Sequence, residues 1–354
     1  MRNSVEVIAS SLAPLDRARA AILRCVGPAM SPLLRVRSLR VGCSAVLLVV
    51  TAFALAVLTP RLLLAVTPLV FGVPHLLSDI RYLVVRQGLH RRPEILGALA
   101  APVIFAVLDG RPSLGLCAIG AITLVARTAL GTRLLAFVAF ATLAFATYAL
   151  SHLADIAVAH IHNLVALLFL LRWSRAPRAL IPALACFVAA ALVLFSGALD
   201  GWLIRGLLLP SSLDSRDLHV LARSLTWTGN ADLSLRIIAF FAMSQAVHYG
   251  IWLRLIPEED RTRRAPRSFA ASYRALVGDV GGRMALGVLV VTACLLVYGF
   301  LDSTSARSSY FRLALFHGPL ELAILVLLSL EARGFDREDS APLASVPQSG
   351  WRHR

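Results

Sequence analysis

Lysine is absent from this chain of 354 residues, so the 35 side chains counted as Lys or Arg are all arginine. Acidic residues are also few, at 20, and charged residues of both signs make up only 16% of the sequence. A chain with so little charge and 58% hydrophobic residues is not a disordered or fibrous protein. The mean hydropathy of +0.75 indicates a membrane protein instead of a soluble domain.

Several signatures of well-known enzyme classes are missing too. The sequence contains no P-loop, no G-x-G-x-x-G fingerprint and no internal repeat of domain-building length. No two histidines are adjacent, which argues against the histidine boxes of di-iron membrane desaturases. The five cysteines include no C-x-x-C pair, which favours small core residues over a disulfide framework or a thiolate site.

The apolar residues are gathered into runs separated by short arginine-bearing segments, the pattern of membrane-spanning helices. We therefore predict an all-α fold, a polytopic transmembrane helical bundle of about ten helices. The predicted spans are Val41–Leu58, Leu62–Val85, Ile95–Leu108, Ser113–Leu130, Leu134–Leu150, Ile156–Leu171, Ala179–Ala198, Ile237–Leu255, Met284–Leu301 and Phe311–Leu330.

The arginines are concentrated on alternate connections between these runs, so the net charge of +15 is interpreted as a topology signal and not as nucleic-acid binding. Both termini are predicted to be cytoplasmic, in a multi-pass protein of a bacterial cytoplasmic membrane. The predicted organisation has a cytoplasmic, amphipathic segment at 1–40, a transmembrane helical domain at 41–331 and a cytoplasmic tail at 332–354. Within the domain we expect an outer loop at about 200–236 and a basic inner loop at about 257–283.

Ionisable side chains inside apolar spans are costly, so they usually face the interior of the bundle. His75 is followed one helical turn later by Asp79, and His317 is followed at the same spacing by Glu321, so each pair lies on one helix face. Six of the nine histidines lie within or at the ends of predicted spans, namely His75, His152, His160, His162, His248 and His317.

Helical spacing places His152, Asp155 and His162 in one sector of their span, whereas His160 points almost the opposite way. Only one of His160 and His162 can therefore face a given site. The imidazole and carboxylate set is typical of iron, zinc or manganese, and we predict iron as the cofactor, with another transition metal or haem as the alternatives. The predicted metal ligands are His75, His160, His162, His248 and His317, and the predicted supporting or additional ligands are Asp79, Glu321, Asp155 and His152.

The motif of Gly72, Pro74 and His75 followed by Asp79 resembles the Brp/Blh family of membrane carotene-cleaving dioxygenases. The resemblance covers the eight residues around His75 and, elsewhere, only the all-helical character of the chain. It implies oxidative cleavage of a carotenoid by iron that histidines hold within the bilayer. By this resemblance, His75 is an iron ligand.

The chain also departs from the pattern of that family. Leu76 stands where family members carry glycine, and His160 and His162 are two residues apart where the family has histidines four apart. The family pattern leaves His248 and His317 without an assigned role. The chain also has more predicted spans than the family core.

A site between membrane helices is accessible to apolar molecules dissolved in the bilayer, so we predict a lipid-soluble substrate, dioxygen and membrane lipid as partners. Beyond the metal ligands, no catalytic residue is predicted. Two alternatives remain open: a proton-coupled or cation-coupled transporter that uses the same intramembrane groups, and a structural membrane protein without chemistry. The aromatic residues predicted to line the substrate site are Phe71, Tyr82, Tyr249, Trp252 and Phe316.

Overall fold

The computed structural model describes residues 2–111, 115–150, 152–208, 224–261 and 266–331. The fold is 88% helical, and no strand occurs in these ranges, which confirms the predicted all-α bundle. The predicted tail at 332–354 and the middle of the predicted outer loop lie outside the described residues.

The α-helices are labelled here in chain order. They are α1 (Arg2–Ser11), α2 (Ala13–Val26), α3 (Ser31–Arg35), α4 (Arg37–Leu58), α5 (Pro60–Asp79), α6 (Pro93–Asp109), α7 (Leu116–Val125), α8 (Leu130–Leu150), α9 (His152–Trp173), α10 (Ile181–Phe195), α11 (Asp200–Leu208), α12 (Ala231–Gly250), α13 (Ile256–Glu259), α14 (Phe269–Val280), α15 (Gly282–Leu301), α16 (Ser303–Ala314) and α17 (His317–Leu330).

Seven described helices are long and apolar enough to cross a membrane, so the chain is an integral membrane protein. The three remaining predicted spans correspond to α6, α7 and α12. The ten residues of α7 extend only about 15 Å, half of a hydrocarbon core. The seven candidate spans are Arg37–Leu58, Pro60–Val85, Leu130–Leu150, His152–Trp173, Pro177–Phe195, Gly282–Leu301 and Ser305–Leu330.

Helix α12 is long but less apolar than these seven, and its position explains why. It packs against α4, α5, α9 and α10, so most of its surface faces protein. Its polar residues Ser244, Gln245 and His248 are all buried. A helix that is covered by neighbouring helices does not need an apolar surface for contact with lipid. Helix α12 can therefore place polar groups in the interior of the bundle.

Helices α8 and α15 differ from α12 in that neither contains a buried residue. Their side chains are apolar on the exposed faces, as expected for surfaces that contact lipid tails. All five cysteines are free, and four of them, including Cys117 and Cys294, are exposed. The expectation that the cysteines are core residues was therefore wrong for these four.

Two helices are irregular close to the predicted histidines. Helix α5 continues through Pro68 and Pro74 and then changes to a π-helix at Ile80–Val85. A second π-helical segment, Ile251–Leu255, follows α12. Single-turn π segments inside membrane helices frequently accompany functional sites.

The last membrane-spanning stretch is interrupted between α16 and α17. Helix α17 begins at His317, and Pro319 lies in its first turn, where a missing N–H breaks no intrahelical hydrogen bond. His317 is thus held at the start of a helix in the middle of a span, beside a short turn at Leu315 and Phe316.

One end of the bundle is rich in arginine, and acidic residues bind those arginines. Buried Glu258 on α13 is bound by Arg40 of α4 and lies 2.9 Å from Arg261. Arg86 approaches Asp260 at 3.0 Å. Arg92 binds Glu331 at 2.9 Å, beyond the end of α17. These ion pairs connect segments that are distant in sequence and fix their ends together.

The N-terminal helices pack against this same end, on α14. Glu6 pairs with Arg274 at 2.8 Å, and the Asp16 carboxylate accepts a hydrogen bond from the Phe269 amide at 2.8 Å. Apolar residues such as Val7 and Ile22 remain exposed on α1 and α2, so these helices are amphipathic. The predicted basic inner loop is therefore partly covered by the N-terminal segment.

Replacing Glu258 should destabilise the bundle. Burial raises the pKa of Glu258, but Arg40 and Arg261 outweigh that effect and hold the pKa below its ordinary value. A lowered folded-state pKa contributes stability above the unfolded pKa and loses it as the pH falls. We expect Glu258→Gln to lower the free energy of unfolding by about 3 kcal/mol at neutral pH, because three arginines lose their partner.

Thermal unfolding of the purified protein measures this effect. Glu94→Gln is the matched control, because the Glu94 side chain is 40% exposed and solvent weakens its ion pairs with Arg92 and Arg127. We expect the control to change stability by less than about 1 kcal/mol. Equal effects of the two substitutions would contradict the structural role assigned to Glu258.

Candidate metal centre

Four histidines from four different helices meet inside the bundle. His75 lies on α5, His162 on α9, His248 on α12, and His317 is the first residue of α17. The side chains of His75 and His248 are fully buried, and that of His162 is 12% exposed. The sequence predicted an inward-facing histidine on each of these four helices and left the choice between His160 and His162 open, and the packing brings His75, His162, His248 and His317 together.

The four imidazoles form a closed ring of neighbours. Going around it, the ring centres of His75 and His317 are 4.8 Å apart, and those of His317 and His162 are 4.4 Å apart. His162 and His248 follow at 4.5 Å, and His248 returns to His75 at 5.3 Å. Across the ring, His248 and His317 are 6.1 Å apart.

These separations match those of imidazoles bound to one metal ion. A ligand nitrogen lies about 2.1 Å from a transition metal, which places the ring centre about 3.2 Å from the ion. Two rings on one ion are then about 4.5 Å apart at a right angle and about 5.2 Å apart at the tetrahedral angle. The four neighbouring distances, 4.4 to 5.3 Å, are close to these values, so the rings are spaced as metal-bound imidazoles are.

The potential ligand atoms form two overlapping groups. His75, His248 and His317 offer one nitrogen each within 4.8 Å of one another, and His162, His248 and Glu321 offer ligand atoms within the same distance. Because His248 belongs to both groups, they make up one continuous cluster. These histidine and glutamate groups could hold a metal ion.

Hydrogen bonds to the backbone set the orientation of two of the rings. The Nδ1 of His75 donates to the Gly72 carbonyl oxygen at 2.5 Å, and the Nδ1 of His317 donates to the Ala314 carbonyl oxygen. With the proton on Nδ1, the Nε2 lone pair of each ring is directed into the cluster. Such a bond to the second ring nitrogen is typical of histidines that bind metals.

Two carboxylates complete the cluster. Asp79 lies one turn from His75, with its Oδ2 3.8 Å from Nε2 of that ring. The two oxygens of Glu321 face different histidines, at 3.2 Å from Nδ1 of His162 and 3.7 Å from Nε2 of His248. Both acids are completely buried.

The burial of two acids is the strongest electrostatic feature of the cluster. Among the described residues, neither oxygen of Asp79 has a hydrogen-bond partner, and no arginine forms an ion pair with Asp79 or Glu321. Burying two unpaired carboxylates costs several kcal/mol each. A divalent cation among the histidines would balance both negative charges, whereas neutral imidazoles alone do not.

Three predicted ligands lie elsewhere. His160 Nε2 forms a hydrogen bond with the Leu225 carbonyl at 3.0 Å, and its ring packs against Phe241. Asp155 lies 3.8 Å from Arg111, and His152 is exposed at the start of α9. None of the three belongs to the groups of potential metal ligands in the described part of the chain. Of the two candidate histidines on α9, His162 is therefore the inward one.

A cavity of about 120 Å³ adjoins the histidine cluster. Its wall is almost entirely apolar, and His162 and His317 form part of it. The other lining residues are Val158, Ala159, Asn163, Phe241, Gln245, Tyr249, Tyr310, Phe311, Ala314, Leu315, Gly318 and Pro319.

Of the five aromatic residues predicted to line a substrate site, Tyr249 alone is among the residues that line this cavity. Its ring lies 4.5 Å from that of His75. Phe71 is 44% exposed on α5, and Phe316 lies beside His317 with ring centres 6.3 Å apart. Trp252 and Tyr82 are buried in an aromatic cluster with Trp173.

Tyr310 is a site residue that the sequence analysis did not identify. Its hydroxyl lies 3.2 Å from that of Tyr249, and its ring occupies the space beside Gly72. Tyr310 lies just before the predicted span Phe311–Leu330, and a turn at Leu315 and Phe316 separates its helix from His317, so helical spacing in the sequence did not connect the two residues.

Gly72→Ala should disturb the site through Tyr310. A Cβ atom at Gly72 would lie 2.2 Å from the nearest ring atom of Tyr310, so this rigid, buried ring must move. We expect a loss of about 1–3 kcal/mol of stability and weaker metal retention, because the Gly72 carbonyl also orients His75.

Thermal unfolding and metal content measure this prediction, and Gly97→Ala provides the control. Gly97 also lies in a membrane-domain helix, but a Cβ there meets no atom within 4 Å. The control should stay within about 0.5 kcal/mol of the unmodified protein. A Gly72→Ala protein as stable and as metal-rich as the control would show that this contact is unimportant.

No protein-family model, curated protein or solved structure matches the chain. What is known of this chain therefore comes from its own sequence and structure. The chain is an all-helical integral membrane protein, and it contains a buried cluster of histidines and carboxylates with the composition and spacing of a metal site.

Proposed function

We propose that this protein is a non-haem iron oxygenase that acts on a lipid-soluble substrate such as a carotenoid. The observation that carries the proposal is the ring of four imidazoles, contributed by four helices, with neighbouring ring centres 4.4 to 5.3 Å apart. Histidine nitrogens with carboxylates nearby are a donor set that suits iron(II).

His75, His162, His248 and His317 would hold the ion, and Asp79 and Glu321 would balance its charge. Iron held by neutral imidazoles, with positions left open, supplies the activation of dioxygen. The Gly72 and Ala314 carbonyls orient two of the rings, and the burial of His75, His248, Asp79 and Glu321 keeps bulk water away from these side chains.

The cavity supports the choice of substrate. It is apolar, it includes two of the histidines in its wall, and it lies within the membrane domain, where lipid-soluble molecules are concentrated. Its apolar lining suits one end or one segment of a long apolar chain.

The motif around His75 supports a particular type of reaction. Its resemblance to the Brp/Blh carotene-cleaving dioxygenases favours cleavage of a carbon–carbon double bond over hydroxylation. In such a cleavage one double bond breaks, and each of its carbons receives one atom of dioxygen as a carbonyl oxygen. The reaction needs no external reductant, so the proposal requires no partner protein that supplies electrons.

The proposal is tested with full-length protein loaded with iron(II) in lipid nanodiscs. An equimolar mixture of β-carotene and its hydroxylated derivatives is supplied with ¹⁸O₂, and the products are analysed by mass spectrometry. We expect carbonyl products that contain ¹⁸O, formed at a rate that depends on iron. His75→Ala should abolish them, and His160→Ala should not.

Two results would overturn the oxygenase function. One is iron-loaded, folded protein that forms no labelled product and consumes no dioxygen with any of these carotenoids. The other is product formation that persists undiminished in His75→Ala, because the reaction would then occur without the histidine cluster.

A further inference from the structure

The cavity beside the histidine cluster contains two polar atoms without a partner. Among the described residues, the Asn163 Nδ2 and the Gln245 Oε1 are buried and form no hydrogen bond. Asn163 is 3% exposed and Gln245 is 4% exposed, and both line the cavity. Leaving such groups unpaired in an apolar interior costs free energy, so their presence indicates a ligand that pairs with them.

The two atoms differ in kind, since one is a donor and the other an acceptor. Exchanging oxygen and nitrogen in both side-chain amides would again leave one donor and one acceptor. A hydroxyl group is the small function that satisfies both at once, because it donates one hydrogen bond and accepts others. A pure hydrocarbon satisfies neither.

Tyr249 and Tyr310 add further hydrogen-bonding groups to the cavity. Tyr249 and Tyr310 share one hydrogen bond at 3.2 Å, so one of their two O–H donors is used between them and the second remains for another acceptor. Both residues line the same cavity. The rest of the lining, including Val158, Phe241 and Phe311, is apolar.

We propose that this cavity binds an apolar lipid through a hydroxyl group, with Asn163 and Gln245 as the residues that distinguish the alcohol from the parent hydrocarbon. This inference rests on the proposed function, since it takes the bound lipid to be the oxygenase substrate. The location of the two amides supports it: Asn163 follows His162 directly, and Gln245 is one turn from His248. The hydroxyl is thus anchored next to the metal ligands.

The test is a competition for binding that does not depend on turnover. Full-length protein in nanodiscs is incubated anaerobically with equal amounts of β-carotene and β-cryptoxanthin, which differ by one hydroxyl. The protein is purified again, and the bound carotenoids are quantified. We expect the alcohol to be enriched about tenfold or more, because a site that hydrogen-bonds a hydroxyl rejects the analogue that lacks it.

Substitutions in the cavity identify the residues responsible. Gln245→Leu and Asn163→Leu keep the approximate size of the side chain and remove its polar atoms, so each should bring the ratio close to one. Ser244→Ala is the matched control on the same helix, because Ser244 bonds the Phe241 carbonyl and does not line the cavity. It should keep the enrichment of the unmodified protein.

Equal binding of the two carotenoids by the unmodified protein, binding of neither, or enrichment that survives both leucine substitutions would overturn the inference. Iron content, measured on the same samples, separates this failure from that of the proposed function. If the protein binds iron but does not prefer the alcohol, the oxygenase proposal stands and the inference about the hydroxyl group is wrong. If the protein binds no iron, the oxygenase proposal is wrong.

Discussion

His248→Ala should reduce bound iron from about one ion per chain to less than about one tenth of an ion. His248 is the residue common to both groups of potential ligands, and its fully buried ring lies next to those of His75 and His162. Alanine removes a ligand from the centre of the cluster, and no other described side chain takes its place. Elemental analysis of the purified variant measures the effect.

His160→Ala is the control for this prediction. His160 is also a partly buried histidine of the membrane domain, but it bonds the Leu225 carbonyl and not the cluster. We expect this variant to keep its iron even if it is less stable. Retention of iron by folded His248→Ala, or equal loss in both variants, would show that the cluster is not the metal site.

Removing the metal should lower the thermal unfolding temperature by on the order of 10 °C. The ion stabilises the folded state by binding to it alone, and its removal leaves Asp79 and Glu321 buried without a compensating charge. Unfolding temperatures recorded with and without a strong chelator, at constant detergent and pH, measure the difference.

A variant that carries both Asp79→Asn and Glu321→Gln tests the reason for this shift. It should bind metal poorly and should unfold at nearly the same temperature with and without chelator. In the absence of metal it should be at least as stable as the unmodified protein, because no buried charge remains unpaired. A chelator without effect on the unmodified protein, or a double variant that is much less stable than metal-free protein, would contradict the electrostatic account.

Part of the cluster of histidines and carboxylates follows from local spacing. The i,i+4 pairs His75–Asp79 and His317–Glu321 follow from the helical repeat alone, and each pair is indeed directed to the cluster. The cross-helix pairing of Glu321 with His162 and His248 was not predictable, because it depends on how three helices pack. No local pattern contains that information.

The choice between His160 and His162 shows a second limit. Periodicity indicated that the two point in opposite directions, but both sides of α9 are covered by protein. His160 meets Phe240 and Phe241 of α12 together with Trp227, while His162 meets the cluster. Burial therefore could not distinguish the functional histidine from the one that packs against aromatic residues.

Phe71, one of the aromatic residues predicted to line a substrate site, lies away from the cavity for a reason specific to membranes. In a soluble protein an apolar residue such as Phe71 is expected to face the core, but in a bilayer the lipid is equally apolar. Phe71 is exposed on the surface of α5, and Phe241 and Phe311 line the cavity instead. The polar residues Gln245 and Tyr310 line the cavity as well.

Iron K-edge X-ray absorption on the purified, iron-containing protein measures the ligands of the metal itself. We expect a shell of nitrogen and oxygen ligands at about 2.1 Å, with the multiple-scattering pattern of about four imidazoles. A shell that contains sulfur, or one of oxygen ligands with no imidazole contribution, would contradict a metal site built from His75, His162, His248 and His317.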